Sequence, residues 1–406
     1  MEKKKPEIRF NGFEGEWATT TLGECFLERV ERSAEGELIS VTISQGVVRA
    51  SDLDRIDNSS NDKSNYKVVE VGDIAYNSMR MWQGACGYSL YKGICSPAYT
   101  VVIPQNNIDV VYCFYLFKRN ETLQLFRVNS QGLTSDTWNL KYPAFSQIKC
   151  SFPSLSEQEK IGLFLTTLDK LIAKLEAKLD KLRKLKQALL EKMFTNVNRG
   201  GYETPEIRFK GYTDKWLTTT LGACSKKIIT KNNGNEYNIV LTNSAECGIV
   251  DQRSYFDREI VNTENIQGYY IVSQDDFVYN PRISMQAPVG PINRSKFEYT
   301  GVMSPLYYVF RITDKRFSLT YMEWFFKSSS WYDFMYKNGN SGARSDRFAI
   351  NDDAFLRLPI YHPKDISEQE QIGKCFTQID THFNKTSTKL TKLRNIKQSL
   401  LQKMFV

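Results

Sequence analysis

Guanidinium and carboxamide side chains are the groups in this sequence best suited to specific chemistry, because each presents hydrogen-bonding atoms in a fixed planar fork. They gather in two short stretches of like pattern, Tyr76–Gln83 (YNSMRMWQ) and Tyr279–Gln286 (YNPRISMQ). The first offers Asn77, Arg80 and Gln83; the second offers Asn280, Arg282 and Gln286. Arginine can fork onto a guanine edge and asparagine or glutamine onto an adenine edge, so these types suit reading of bases in a major groove. Two later stretches, Asn129–Lys141 (NSQGLTSDTWNLK) and Asn338–Asn351 (NGNSGARSDRFAIN), are also polar and glycine-bearing. In the second, Arg344 and Arg347 flank a Ser-Asp pair. A polar loop with one arginine is common, and each stretch alone would pass for a surface turn. Their occurrence twice at matched places gives them weight.

Other chemistry finds little support. His362 and His382 are the two histidines, and neither has ligand spacing around it. There is no GxxxxGK[ST] phosphate loop. Asn280-Pro281-Arg282 only touches the Asn-Pro-Pro-aromatic pattern of amino-methyltransferases, with no glycine-rich cofactor loop beside it. We therefore expect no catalytic residue, metal or cofactor in this chain. The eight cysteines form no CxxC pair and are expected to be free, mostly buried thiols. No apolar run approaches the roughly 18 residues needed to span a bilayer, and MEKKKPEIRF lacks a following apolar stretch, so we expect no membrane segment and a cytoplasmic location.

The elements that must position these loops are written in repeats. Ser156–Phe194 carries apolar residues in 4-3 alternation: Ile161, Leu165, Leu168, Ile172, Leu175, Leu179, Leu182, then Lys186, Leu189 and Met193. That is the seam of a coiled coil. Ser367–Val406 repeats it 211 residues later as Ile372, Phe376, Ile379, Phe383, Thr386, Leu390, Leu393, Lys397, Leu400 and Met404. Ser156 with Glu159, and Ser367 with Glu370, have capping-box spacing. Leu185 and Ile396 precede the two seam lysines and are expected to cover the gap while each lysine snorkels outward. With no other partner in the chain, the two seams are expected to pack on each other as an antiparallel coiled coil, the alternative being a second molecule. PEIRF at Pro6–Phe10 recurs at Pro205–Phe209, and TTTLG at Thr19–Gly23 recurs at Thr218–Gly222.

Between these frames lie two related but divergent blocks. VGDIAYN (Val71–Asn77) resembles QDDFVYN (Gln274–Asn280), and GICSPAY (Gly93–Tyr99) resembles GVMSPLY (Gly301–Tyr307). Tyr99–Ile103 and Tyr307–Ile312 are strand-like, and Val110–Arg119 and Leu319–Lys327 look helical. The expected fold class is α+β: two mixed α/β domains joined by two long helices, with a pseudo-twofold internal repeat. Expected boundaries are 1–155, a first helix 156–194, a linker 195–204, 205–366, and a second helix 367–406. Net charge is +8. The helices hold most of it: nine Lys and Arg against six Asp and Glu in the first give +3, and seven against three in the second give +4. The remaining blocks are nearly neutral, so any polyanion surface there must arise from clustering.

SEQEKIG with LRKLKQALLEKMF, SEQEQIG with LRNIKQSLLQKMF, the TTTLG motifs and the SPAY and SPLY strands together resemble the specificity subunit of type I restriction-modification systems. The likeness runs through essentially the whole chain. It implies a non-catalytic subunit that binds a split double-stranded DNA target, one half-site per domain. It also implies helices that dock two methyltransferase (modification) subunits, and through the complex motor-nuclease (restriction) subunits. S-adenosylmethionine, ATP and Mg2+ would belong to those partners. On this reading Asn77, Arg80, Gln83, Asn280, Arg282, Gln286, Arg344 and Arg347 face DNA, while Leu168, Ile172, Leu175, Leu179, Leu182, Ile379, Phe383, Leu390 and Leu393 pack the helices. Readers on one face of a duplex stand about 34–36 Å apart per helical turn. A helix of about 39 residues reaches about 58 Å, long enough to act as a ruler. Rival readings are a coiled-coil adaptor joining two protein-binding modules without nucleic acid, and a self-contained nuclease or methyltransferase.

Overall fold

The computed structural model describes residues 5–54, 59–194, 204–255, 266–341 and 346–406. Nearly all of the expected linker, and Arg344, lie outside the described residues. The chain divides into two compact units, Met1–Ala177 with Ser387–Val406, and Lys178–Thr386. Each unit holds one of the two divergent blocks and part of each long helix. No described helix is long and apolar enough to cross a membrane.

In the first unit, the Thr-rich strand Ala18–Thr21 pairs antiparallel with Lys149–Phe152. A four-stranded sheet follows in the order Phe26–Glu28, Tyr99–Pro104, Ile74–Asn77, Cys86–Tyr88. A second has the order Gly46–Arg49, Leu38–Thr42, Gly93–Cys95, Lys67–Val69. Helices Val110–Phe117, Asn120–Val128 and Tyr142–Ser146 cover the first sheet around Phe26, Phe117, Phe126 and Phe145. The second unit repeats the frame. Leu217–Thr220 pairs with Pro359–His362, and the sheet runs Ser225–Lys227, Tyr308–Ile312, Phe277–Tyr279, Ile292–Arg294. Its helices are Leu319–Lys327, Tyr332–Asn338 and Asp352–Leu356. The strand expected at Tyr307–Ile312 begins one residue later, and the helix expected at Val110–Arg119 ends two residues earlier.

The repeated motifs turn out to be joints. Arg9 of PEIRF forks onto Glu157 at 2.8 and 2.7 Å, and Arg208 onto Glu368 at 2.6 and 2.8 Å; both carboxylates are buried. The next residue, Gln158, accepts from Asp109 N and donates to the carbonyls of Asn107 and Pro153, tying the long helix to the start of Val110–Phe117. Gln369 does the same with Ser318 N, Arg316 O and Pro363 O. Glycine in SEQExIG is forced by close approach: a Cβ on Gly162 would stand 2.9 Å from Asp109 Oδ1, and one on Gly373 2.9 Å from Thr320 Cγ2. In TTTLG, a Cβ on Gly23 would stand 3.0 Å from Ser146 O.

The long helices run Leu155–Met193 and Ile366–Lys403. They do not start with the expected capping boxes. Ser154 O accepts from the amides of Glu157 and Gln158, and Asp365 Oδ1 accepts from Ser367 N, so Ser156 and Ser367 already lie in the first turn. Within the first unit Lys397 pairs with Asp169 and Arg394 with Glu176, which makes the segments antiparallel. Within the second, Lys186 pairs with Asp380, Arg183 overlies Phe383 and Phe194 stacks on Phe376, again antiparallel. Leu168, Ile172, Leu179 and Leu390 are buried, and Leu175, Leu182, Ile379, Phe383 and Leu393 are half-buried. Buried Thr386 satisfies its hydroxyl on His382 O at 2.7 Å, which accommodates a polar residue in the seam. The seam lysines do not snorkel to solvent as expected. Each finds an aspartate on the facing helix, so Leu185 and Ile396 cover no gap and stay 48% and 50% exposed.

The far end of each helix segment plugs an aromatic core. Phe405 stacks on Tyr112 at 5.2 Å in the first unit, and Phe194 packs on Tyr321 at 5.5 Å in the second. Burying one such side chain contributes about 1.5–3 kcal/mol. Six of the eight cysteines are buried free thiols; Cys247 is exposed and Cys375 half-buried. Burial pushes the Cys25 thiol up to about 12, which makes it unreactive at neutral pH.

Candidate nucleic-acid interface

The two polar loops of each unit converge. In the first unit the strand Ile74–Asn77 ends in a turn in which Asn77 Oδ1 accepts from Met79 N at 3.1 Å. Arg80 is exposed and engages one of its five N–H groups with Gln83 Oε1 at 3.1 Å. Gly84 closes the turn at φ 83°, where a side chain would be strained. Lys118 Nζ donates to Gly84 O and Ile43 O, and burial pulls that ammonium below its ordinary range. Leu140 N donates to Ser78 O at 2.8 Å, bringing the 129–141 loop alongside. Trp82 then meets Trp138 edge-on at 5.2 Å, with Arg127 over the Trp138 ring at 5.1 Å.

The second unit reaches a similar place with different side chains. Asn280 Oδ1 accepts from Arg282 N at 3.0 Å while Nδ2 donates to Asn243 O at 2.8 Å, so both ends of this amide are used within the protein. Phe348 N donates to Pro281 O and Ile283 N to Asp346 O, setting Arg282 beside Arg347 in a short antiparallel bridge. Arg282 Nη2 stands 3.4 Å from Asp346 Oδ2 and the residue remains exposed; Arg347 is half-buried. Gln286 Nε2 donates to Glu246 Oε1 at 3.0 Å. Asn280, Arg282, Gln286 and Arg347 all line one cleft of about 690 Å³, with Asn243 and Tyr307 among its other walls.

The structure brings the polar loops named from the sequence together within each unit. Asn77 and Asn280 shape turns, whereas the arginine forks keep donors to offer. Sequence reasoning misses Asn243, Glu246 and the Trp82–Trp138 contact. The tryptophans stood inside the quoted loops, but only the fold shows that they touch. Asn243 is hidden because by hairpin register it replaces Val41, a core residue in the first unit.

Residues 16–184 match the family described as type I restriction modification DNA specificity domain. Over that stretch the chain is similar to the specificity subunits of these systems. It is 28% identical over 132 residues, 32% of its length, to the type I restriction enzyme MjaVIII specificity subunit of Methanocaldococcus jannaschii. It is 21% identical over 257 residues, 58% of its length, to the MjaX specificity subunit of the same organism. These matches span 29% and 56% of the relatives' own lengths. Among solved structures, the S subunit of a type I restriction-modification system from M. genitalium shares the fold at a TM-score of 0.57 and 13% identity, covering 99% of each chain. The family match covers the first polar loop, from Asn77 to Gln83, and most of the first long helix. It stops before the second unit's loops, whose likeness to the first rests on the internal repeat.

Proposed function

We propose that this chain is the sequence-specific DNA-binding subunit of a type I restriction-modification complex. One observation carries the reading: in each unit a matched pair of loops comes together on a repeated frame, and the side chains they expose differ between units. A frame kept constant under unlike reading loops is what an asymmetric split target requires, one half-site per domain. Arg80 in the first unit and Arg282 and Arg347 in the second are the leading base contacts, because a guanidinium can serve its own loop and still fork onto a guanine edge. The long helices, with Leu185 and Ile396 exposed at matched positions, offer methyltransferase subunits an equivalent apolar contact in each repeat. Adenine methylation from S-adenosylmethionine and ATP-driven, Mg2+-dependent cleavage would be carried out by those partners. The chain itself would supply recognition only.

The test is sequencing of modified adenines in cells carrying the wild-type gene, lacking it, or carrying a version with residues 24–155 exchanged for another recognition domain. Modification should vanish without the gene. In the exchange it should move to a target altered in one half only; alteration of both halves would refute one-domain-one-half reading.

A further inference from the structure

The second unit has a cleft of about 750 Å³ where its recognition domain meets its helix pair. Arg183, Lys186, Arg294, Lys296 and Lys327 line it against three carboxylates, Glu246, Glu323 and Asp380. Three of the cations converge on one buried carboxylate. Lys296 Nζ and Lys327 Nζ stand 2.7 and 3.3 Å from Glu323 Oε1, and Arg294 Nη2 stands 3.4 Å from Oε2. Glu323 is 4% exposed and shares its charge among the three. Arg294 Nε also stands 3.6 Å from Asp275 Oδ1, so two carboxylates face the three cations. Lys186, paired to Asp380, lies over the Trp324 ring at 4.9 Å, and Lys327 overlies the same ring at 4.4 Å. Burial pulls the Lys327 ammonium down; Glu323 opposes this, while Lys296 and Lys186 add to it.

The fold does not need this cluster. Strand Ile292–Arg294 corresponds to Cys86–Tyr88, and helix Leu319–Lys327 to Val110–Phe117 with Lys118. Where the second unit has Arg294 and Glu323, the first has Tyr88 and Phe114, edge to face at 5.9 Å. An apolar contact therefore suffices to hold this joint; Lys118 stands in the place of Lys327, whereas Arg294 and Glu323 have no charged counterpart in the first unit. The cluster also sits beside the proposed reading site: the two clefts share Ala245, Glu246, Gln286 and Pro291 as a common wall.

We infer that Arg294, Lys296 and Lys327, held in place by Glu323, form an anchor for a backbone phosphate of the duplex whose bases are read in the adjoining cleft. The excess of positive charge around Glu323, with Lys296 61% exposed at the rim, is what a phosphate group would balance. The inference rests on the reading of that cleft as a base-recognition site and adds a sequence-blind contact to it. It also makes the two half-sites unequal in grip, because the first unit has an aromatic pair in the same place.

The experiment measures DNA affinity of the complex purified with this full chain, between 50 and 200 mM salt, on a duplex bearing the modified site and on a scrambled one. Lys296 is 61% exposed, so Lys296→Ala should leave the melting temperature unchanged. Loss of one phosphate contact should make the slope of log affinity against log salt shallower by about 0.9, a difference of about 3-fold over this range, equally on both duplexes. Lys296→Arg should restore it, and the modified sequence should not change. An unchanged slope, or a loss confined to the specific duplex, would overturn the anchor. So would an unchanged slope accompanied by loss of thermal protection by inorganic phosphate, which would mark a free-anion site. If the wild-type complex has no affinity for either duplex, the underlying reading of the cleft falls first.

Discussion

Replacing Arg9 with alanine tests whether the repeated PEIRF and SEQE motifs work as a joint. Arg9 gives Nε and Nη2 to the two oxygens of Glu157 at 2.8 and 2.7 Å, and Nη1 to Gly15 O at 2.7 Å. Glu157 is 1% exposed, so the substitution strands a carboxylate away from water. Removing one partner of a buried pair costs about 3–5 kcal/mol, against about 0–1 kcal/mol for an exposed pair. The Arg9 side chain keeps 18% exposure, which gives water a way to the vacated site, so the lower end, about 3 kcal/mol, applies. At 2–4 °C per kcal/mol for a unit of roughly 200 residues, the first unit should melt about 6–12 °C earlier. Hydrogen exchange followed segment by segment would report the two units separately. Arg9→Ala should weaken protection in the first unit, and Arg208→Ala in the second. Adding Glu157→Gln to Arg9→Ala should recover part of the loss, because a neutral amide is cheaper to bury than a carboxylate. A shift below about 2 °C, or equal loss in both units, would show that the fork is not what fastens the motif.

Two other outcomes follow from the same geometry. Phe405→Ala removes a ring that is 4% exposed and stacked on Tyr112, and should cost the first unit about 3–5 kcal/mol in urea denaturation, with Phe194→Ala doing the same to the second. Arg282→Ala and Arg347→Ala should each relax one position of the same half-site at about 1–3 kcal/mol, read by binding to a panel of single-base variants; relaxation in the other half would contradict their placement.

The frame was legible in the sequence because its physics is periodic. A 4-3 seam, a Thr-rich strand and a glycine at a close approach recur at fixed offsets, and each recurrence marks a contact that must be made twice. The caps were misread because the capping-box pattern needs its serine and glutamate free, whereas these helices start earlier and the neighbouring Glu157 and Gln158 are committed to the joint. The seam lysines were misread for a related reason. Heptad spacing says that Lys186 and Lys397 lie on the packed face, but not that Asp380 and Asp169 wait opposite, since that depends on the antiparallel register. At the candidate site, residue types singled out loops that the structure brings together, but whether an amide is free or spent on its own turn is set by contacts such as Asn280 with Asn243.

Divergence between the two blocks is not by itself a sign of altered specificity. Asp73 and Asp276 are buried at matched positions, and each accepts from the amide three residues before it, Glu70 N and Ser273 N, at 2.8 Å. Each needs a guanidinium, and each gets one in the same forked geometry at 2.6 and 3.0 Å. In the first unit it is Arg29, just past the strand Phe26–Glu28; in the second it is Arg311, from the neighbouring strand Tyr308–Ile312. The positions corresponding to Arg311 and Arg29 hold Ile103 and Ile228, so arginine and isoleucine have exchanged places across a strand pair. A sequence comparison counts two mismatches where the structure keeps one interaction. Differences with such compensation belong to the frame. Those without it, Trp82 against a fully exposed Met285 and Val41 against Asn243, fall at the proposed reading loops and the cleft wall, and these are the positions where exchange between the copies should change what is recognised.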